Sequence, residues 1–223
     1  MATRLIIFDF DGVIADSEVL SNTVLAECVS EAGLPTTLDD AYRLYMGKRV
    51  PEIVSAVEAS LGTPLPADFG VEFQRRALAR FRTDLRTVAG AHDYLAAVSG
   101  LQRCIASTSS PERLAVCLDA LGLGDLFGAN VFSSELVPRG KPHPDIFLYA
   151  ARQFGVSPAE CLVIEDSVGG VQAGVAAGMT IIGLLAASHI RDGHGERLRA
   201  AGANFIAASY SEVAAITRRL LED

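Results

Sequence analysis

The sequence predicts an α/β fold, a Rossmann-like parallel sheet between layers of helices, with a small all-helical domain inserted after the first strand. Two observations support this prediction. Short apolar runs alternate with helical patterns along most of the chain, and one long segment near the N-terminus contains helical patterns only. With 223 residues, half of them hydrophobic, the chain is long enough for one large and one smaller domain.

Six short runs rich in β-branched and apolar residues predict the strands, at 5–8, 104–106, 130–132, 162–164, 180–184 and 205–207. Apolar residues at three- and four-residue spacing predict amphipathic helices at 110–121, 144–154, 168–177, 196–201 and 211–221. Pro144 suits the first position of its helix, and Gly122, Gly155 and Gly178 suit helix C-termini. The alternation of strands and helices favours a parallel sheet covered on both faces.

The segment from about residue 17 to residue 85 breaks this alternation. Helical patterns occupy 19–32, 38–45, 50–61 and 67–81, and the turn-forming stretches Gly33-Leu34-Pro35 and Gly62-Thr63-Pro64 punctuate them. No convincing strand pattern occurs in this segment. We therefore expect two domains: an α/β core of residues 1–16 and 86–223, and a helical cap of residues 17–85.

The net charge of -8 argues against two classes of partner. Because an acidic protein lacks the basic surface that binds nucleic acid or anionic membranes, the expected partner is a small soluble metabolite. No apolar run approaches the ~20 residues of a transmembrane helix, and the N-terminus enters a strand directly, so we expect a cytoplasmic protein. The four cysteines lie far apart in apolar contexts and are expected to be reduced. The oligomeric state is left open.

Polar residues lie just past several predicted strands, where parallel α/β sheets bind their ligands. They are Asp9 and Asp11 after the first strand, Ser107 and Thr108 after the second, Lys141 before the helix at 144–154, and Glu165 and Asp166 after the strand at 162–164. If these strands are adjacent and parallel, the four groups converge on one edge of the sheet. Gly12 is free to adopt a positive φ and to turn the chain sharply after Asp11.

These residue types favour a magnesium-dependent phosphoryl-transfer site. Crowded carboxylates repel one another unless a cation lies among them, and Mg²⁺ prefers such oxygen ligands. The lysine and the hydroxyl suit a phosphate group, whose transfer depends on positioning and charge neutralisation. An ionised Asp9 can attack phosphorus, while a second carboxyl away from the metal can protonate the leaving alcohol and then activate water.

The stretch Asp9-Phe10-Asp11-Gly12-Val13 resembles the D-x-D-G-[TV] motif of the haloacid dehalogenase-like (HAD) phosphohydrolases. Ser107, Lys141 and the pair Glu165-Asp166 are similar to the second, third and fourth motifs of that family, in the same order. The resemblance extends from residue 4 to about residue 185. The helical insert is similar to the small cap of the branch that includes β-phosphoglucomutase and sugar-phosphate phosphatases.

The resemblance implies a chemical role for each acidic residue. Asp9 would be the nucleophile and a magnesium ligand. Asp11 would be the general acid/base, and its backbone carbonyl would also bind the metal. Asp166 would ligate magnesium, and Glu165 would do so directly or through water.

The remaining candidate residues would bind the substrate. By the same resemblance, Ser107 and Lys141 would hold the transferring phosphoryl group, and Thr108 lies beside Ser107. Lys48 and Arg49, in the predicted cap, form a basic pair that suits a further anionic group on the substrate, such as a sugar acid or second phosphate.

Plainer interpretations exist for single residues. Lys141 taken alone suits a solvated surface lysine, and Glu165-Asp166-Ser167 suits a helix cap. For Ser109 and Ser110 a turn and helix cap is the preferred interpretation. His143 is expected to cap or pack near the site, and no role is assigned to the predicted surface histidines His92, His189 and His194.

Other activities fit the residues less well. Dehalogenases and phosphonate hydrolases of similar architecture lack an acidic residue at the position of Asp11. β-Phosphoglucomutase-like proteins have a cap histidine where this chain has Ser21, although a mutase remains the main alternative. A phosphoaccepting signalling domain would have no helical insert after its first strand. The sequence thus predicts a phosphatase acting on a small phosphorylated metabolite, such as a sugar phosphate or a sugar-acid phosphate similar to 6-phosphogluconate.

Overall fold

The first strand lies in the interior of the sheet, with a neighbour on each side. The computed structural model describes residues 3–222, and its strands are β1 (Leu5–Phe8), β2 (Gln102–Ser107), β3 (Val131–Ser133), β4 (Cys161–Glu165), β5 (Thr180–Leu184) and β6 (Phe205–Ala207). Over these residues they form one parallel sheet in the order β3-β2-β1-β4-β5-β6. The predicted parallel α/β sheet is confirmed, and β2 and β4 flank β1.

Contacts between residues divide the described chain into two compact units. The α/β unit contains the residues up to Asp16 and from Arg86 onward, and the helical unit is Ser17–Leu85. Within the α/β unit, Ala15 pairs with Thr87 in an antiparallel bridge, and the amide of Asp16 donates to the carbonyl of Arg86 at 2.9 Å. These pairings join the two parts of the chain that make up the α/β unit.

The helical unit contains α1 (Glu18–Glu31), α2 (Leu38–Leu44), α3 (Val50–Leu61) and α4 (Phe69–Asp84). α1 packs against α2 and α4, and α3 packs against α4. These helices bury apolar residues, for example Val29 on α1, Val57 on α3 and Phe73 on α4. Arg76 on α4 donates to Glu31 at the end of α1 at 2.8 Å.

The helices of the α/β unit are α5 (Ala91–Ala97), α6 (Pro111–Ala120), α7 (Gly124–Phe127), α8 (Asp145–Phe154), α9 (Val168–Ala176), α10 (His194–Ala200) and α11 (Tyr210–Glu222). α5 and α7 were not predicted from the sequence, and α7, with four residues, is too short to show a helical period. Pro144 is the N-cap of α8 and not its first residue, so that prediction is wrong: its carbonyl accepts the first helical hydrogen bond, from Leu148. Gly155 ends α8 with a φ of 61°, as predicted.

The side chains of β1 alternate between the two faces of the sheet, as strand geometry requires. Leu5 and Ile7 lie in the core that includes buried residues of α8 and α9. On the other face, the ring of Phe8 packs edge-on against Tyr94 and Phe127, with centroids 6.0 and 6.2 Å away. A strand buried on both faces fixes the position of the residue that follows it.

Within residues 3–222, no helix combines the length and apolar character needed to cross a membrane. The four cysteines are buried and form no disulfide, as expected: Cys28, Cys104, Cys117 and Cys161. Burial raises the pKa of Cys161 to about 11. This thiol is therefore protonated at neutral pH and packs as a small apolar side chain.

Candidate active site

The carboxyl ends of β1, β2 and β4 meet at one edge of the sheet. Asp9 directly follows β1, and its amide donates to the carbonyl of Ile164 at 2.9 Å, which extends the pairing of β1 with β4. Ser107 is the last residue of β2, and Glu165 is the last residue of β4. All three polar side chains are buried. The parallel strand order therefore brings these candidate residues together.

Lys141 connects two of the carboxylates at this edge. Its ammonium donates to Oδ1 of Asp9 at 2.7 Å and to Oε1 of Glu165 at 2.8 Å. The side chain is 5% exposed, and Nζ lies 4.8 Å from the ring centroid of Phe147. Burial alone would lower the pKa of Lys141, but the charges of Asp9 and Glu165 outweigh it and raise the pKa above its usual value. Lys141 is therefore a buried cation and not a solvated surface lysine.

Asp9, Glu165 and Asp166 are arranged to share a cation, because one carboxylate oxygen from each lies within 4.8 Å of the others. Burial, and then the charge of Glu165, raises the pKa of Asp9 well above its usual range, while Lys141 opposes this in part. Three buried carboxylates and one ammonium leave an excess of negative charge. A divalent cation that prefers oxygen ligands would neutralise that excess, so the residues present fit Mg²⁺.

Glu165 also organises the residues around it. Its Oε2 accepts a hydrogen bond from the amide of Ser167 at 2.7 Å, and the Ser167 hydroxyl caps α9 by accepting from the amide of Gly170 at 3.0 Å. A Cβ at Gly170 would overlap the Glu165 carboxylate, so this position requires glycine. The sequence analysis assigned no importance to Gly170. Glu165 thus fixes both Lys141 and the beginning of α9.

The surroundings of Asp166 correct the interpretation of two histidines. Nε2 of His189 lies 3.3 Å from Oδ2 of Asp166, and Nε2 of His194 lies 2.6 Å from the Asp166 carbonyl oxygen. His189 is buried, so its prediction as a surface residue is wrong, and His194 is half-buried. The loop after β5 folds back over the end of β4, and no local pattern in the sequence indicates this. His92 is exposed as predicted, and His143 is exposed beside Lys141.

The carboxylate of Asp11 contacts residues that precede and begin α6. Its Oδ2 accepts from the hydroxyl of Ser109 at 2.5 Å, and its Oδ1 accepts from Nη2 of Arg113 at 2.6 Å. Ser110 is the N-cap of α6, as predicted, but Ser109 is not merely a capping or turn residue. Arg113 was not among the predicted site residues. A basic residue in the first turn of a helix interacts unfavourably with the helix dipole. This unfavourable placement was the sequence feature that could have identified Arg113 as a site residue.

The second predicted motif lies at the end of β2. Ser107 is buried, and its hydroxyl accepts a hydrogen bond from the amide of Ser109 at 3.0 Å. Thr108 is exposed, and its carbonyl accepts from the hydroxyl of Ser134 at 3.4 Å. These hydrogen bonds fix the turn between β2 and α6. Ser109, whose hydroxyl donates to Asp11, lies in the same turn.

Lys48 and Arg49 belong to the helical unit. Both are exposed, and Arg49 is the N-cap residue of α3. Nη2 of Arg49 donates to Glu52 in the first turn of α3 at 3.0 Å. Their proposed contact with substrate therefore stays a prediction.

Comparison with known proteins identifies the class of enzyme. A family model described as haloacid dehalogenase-like hydrolase matches residues 3–178. The 6-phosphogluconate phosphatase of Escherichia coli (strain K12) is 27% identical over 185 residues, which cover 82% of this chain and 83% of the relative. Hexitol phosphatase B of the same strain is 29% identical over 180 residues, which cover 79% of this chain and 81% of the relative.

Three solved structures share the fold over nearly the whole chain. A haloacid dehalogenase-like protein of unknown function from Agrobacterium tumefaciens has a TM-score of 0.87 and 35% identity, covering 98% of this chain and 99% of the other. A HAD family hydrolase from Deinococcus radiodurans, with bound phosphate and sodium, has a TM-score of 0.85 and 32% identity, covering 98% and 96%. A candidate β-phosphoglucomutase from Thermotoga maritima has a TM-score of 0.78 and 26% identity, covering 99% and 97%.

The fold and the family match define a hydrolase of the α/β class. More particularly, the chain belongs to the haloacid dehalogenase-like hydrolase family. The predicted family is therefore confirmed, as is the predicted enzyme class, a HAD-like phosphatase.

Proposed function

We propose that the protein is a Mg²⁺-dependent phosphatase that hydrolyses a small phosphorylated metabolite through an aspartyl-phosphate on Asp9. The observation that carries this proposal is the contact of Asp9 with the buried ammonium of Lys141, at 2.7 Å, in a cluster with Glu165 and Asp166. A carboxylate nucleophile needs a fixed orientation and cationic support. The hydrogen bond from Lys141 provides the fixed orientation and part of the cationic support.

In the first step, a carboxylate oxygen of Asp9 attacks phosphorus, and the bond between phosphorus and the ester oxygen breaks. The leaving alcohol takes a proton from Asp11. Ser107 and Lys141 bind the non-bridging oxygens of the phosphoryl group. Mg²⁺ held by Asp9, Asp166 and the carbonyl of Asp11, with Glu165 as a direct or water-mediated ligand, would neutralise charge on the phosphoryl group.

In the second step, Asp11 accepts a proton from a water molecule, whose oxygen attacks phosphorus. The bond between Asp9 and phosphorus breaks, which releases inorganic phosphate and restores the Asp9 carboxylate. Asp11 is protonated again and ready for the next substrate. One aspartate thus carries the phosphoryl group while the other moves the proton.

The carboxylates of Asp9 and Asp11 have different partners. Its carboxylate is bound by Ser109 and Arg113, whereas the carboxylate of Asp9 is bound by Lys141. Two identical side chains therefore have different partners although they are two residues apart. In the proposed reaction, Arg113 is a positioning residue that orients the carboxyl group of Asp11.

A phosphorylated sugar or sugar acid is the proposed substrate. The relatives named above act, by their names, on 6-phosphogluconate and on hexitol phosphates. The exposed pair Lys48 and Arg49 offers two positive charges for a second anionic group. The acidic composition supports the same class of partner, since it disfavours nucleic acid. A cytoplasmic location stays a prediction from the sequence.

A phosphosugar mutase is the alternative activity. The structural similarity to a candidate β-phosphoglucomutase keeps this alternative open. Ser21 favours the phosphatase, because the resemblance places a histidine at that position in mutases. Both activities would use Asp9 in the same way and differ in whether the phosphoryl group returns to the sugar or passes to water.

Replacing Asp9 by its isosteric amide tests the nucleophile. Asp9→Asn is expected to reduce turnover to background, because an amide oxygen does not form the acyl-phosphate, while the circular dichroism spectrum stays that of a folded protein, because Lys141 keeps its ion pair with Glu165. Asp93→Asn, an exposed position on α5, is the matched control and should retain the parent rate. Full activity of the Asp9→Asn variant would exclude this mechanism.

Changes at Asp11 and Arg113 test the proton transfer. Asp11→Asn is expected to lower kcat by about 10²–10⁴-fold, the usual contribution of a general acid or base. Arg113→Met should lower kcat with little change in KM, and Arg113→Lys should recover part of the loss. If Asp11→Asn keeps the kcat of the parent, Asp11 is not the proton donor and acceptor. If Arg113→Met and Arg113→Lys lower kcat equally, the charge of Arg113 does not position Asp11.

A panel of phosphate esters tests the activity itself. We expect release of inorganic phosphate from one or more of 6-phosphogluconate, a hexitol phosphate, phosphoglycolate and β-glucose 1-phosphate, with loss of activity in EDTA and recovery with Mg²⁺. Each reaction is also analysed for an isomerised sugar phosphate. Isomerised product without phosphate release would favour the mutase. Turnover that is unaffected by EDTA would exclude a role for Mg²⁺ in the reaction.

A further inference from the structure

The loop between β5 and α10 brings two histidines to Asp166, a candidate metal ligand at the end of β4. Nε2 of His189 lies 3.3 Å from Oδ2 of the Asp166 side chain. Nε2 of His194 lies 2.6 Å from the main-chain oxygen of the same residue. One aspartate is thus bound at its side chain and at its backbone by two histidines from a single loop.

The contact between His189 and Asp166 is sheltered from solvent. The side chains are 7% and 6% exposed. The main chain of Gly12, whose φ is 78°, lies close to the same carboxylate; a Cβ there would overlap Oδ2 of Asp166 and lie 3.0 Å from Cε1 of His189. Gly12 and the imidazole of His189 therefore both pack near the Asp166 carboxylate.

The hydrogen bonds of His194 determine which of its ring nitrogens carries a proton. Nη2 of Arg197 lies 2.9 Å from Nδ1 of His194, and an arginine only donates, so Nδ1 accepts. Nε2 must then carry the hydrogen that it donates to the carbonyl of Asp166. His194 therefore donates a hydrogen bond to the main-chain oxygen of Asp166 and holds it in place.

The loop itself is attached to the segment that follows β1. Both the amide and the hydroxyl of Ser188 donate to Oδ1 of Asp16, at 3.1 and 2.9 Å. Because Ser188 directly precedes His189, these bonds restrict the movement of the imidazole. The position of His189 is thus set by the chain around it and not by its contact with Asp166 alone.

We propose that His189 is a positioning residue for the metal site: its Nε2 orients the Asp166 carboxylate, and His194 holds the main chain below it. This inference rests on the proposed magnesium site. The contact of Nε2 with Oδ2, at 3.3 Å, restricts rotation of the carboxylate, so less freedom is lost when Asp166 binds a cation. Partners of this kind commonly contribute about 10–100-fold to metal affinity.

Two amide variants test the contact between Nε2 of His189 and Oδ2 of Asp166 specifically. In His189→Gln the amide nitrogen lies near the former Nε2 and can still reach Asp166, whereas in His189→Asn it lies near the former Nδ1 and falls short. The full-length proteins are treated with EDTA, and binding of Mn²⁺ is measured by electron paramagnetic resonance without substrate. His92→Asn, an exposed position on α5, is the matched control.

We expect His189→Asn to bind Mn²⁺ about 10–100-fold more weakly than the parent, and His189→Gln and His92→Asn to bind it within a few-fold. Half-saturation of turnover by Mg²⁺ should shift in the same order, with a smaller change in kcat at saturating Mg²⁺. Equal Mn²⁺ affinity in the parent and His189→Asn, or equal weakening in both amide variants, would overturn the proposal.

The Mn²⁺ measurement separates this inference from the proposed function. If no phosphate ester is hydrolysed but the affinities follow the expected order, the proposed function fails and the role of His189 stands. If phosphate esters are hydrolysed and the affinities do not differ, the role of His189 fails alone. A parent protein that binds no Mn²⁺ would overturn the positioning role together with the metal site.

Discussion

The ammonium of Lys141 joins stretches of chain that lie far apart in the sequence. It donates to Asp9 after β1 and to Glu165 at the end of β4, and it is almost wholly buried. Breaking a buried ion pair typically costs about 3–5 kcal/mol, because the remaining charge is left without a partner. This cluster therefore requires β1 beside β4 and a loop before α8 that returns to the same edge of the sheet, and the rest of the site is built around it.

Two glycines let the main chain approach the carboxylates of this cluster. Gly170 lies against Glu165, and Gly12 lies against Asp166, in both cases where a Cβ would overlap a carboxylate oxygen. Gly12 also has a φ of 78°, which turns the chain directly after Asp11. Close packing of this kind leaves the acidic side chains few alternative positions. Their crowding is an expected property of a site that binds a cation.

The sequence was sufficient to predict the sheet, because each strand is a short apolar run bounded by polar residues. The functional residue at the end of β1 was equally predictable, since Asp9 directly follows a run of apolar residues. The residues that contact these carboxylates could not be predicted from the sequence. Ser109 contacts Asp11, and His189 contacts Asp166, only because separate loops fold towards the same edge. Helical periodicity also requires more than the four residues that α7 contains. The roles of the site residues themselves stay predictions.

Trapping the phosphorylated enzyme tests most directly whether Asp9 carries the phosphoryl group. Borohydride reduces an aspartyl-phosphate to homoserine, so a reaction quenched during turnover records which side chain was phosphorylated. Tandem mass spectrometry of the peptide around Asp9 is expected to show conversion at that residue and not at Asp11. Conversion at any other carboxylate, or none during turnover with rapid trapping, would contradict the role of Asp9.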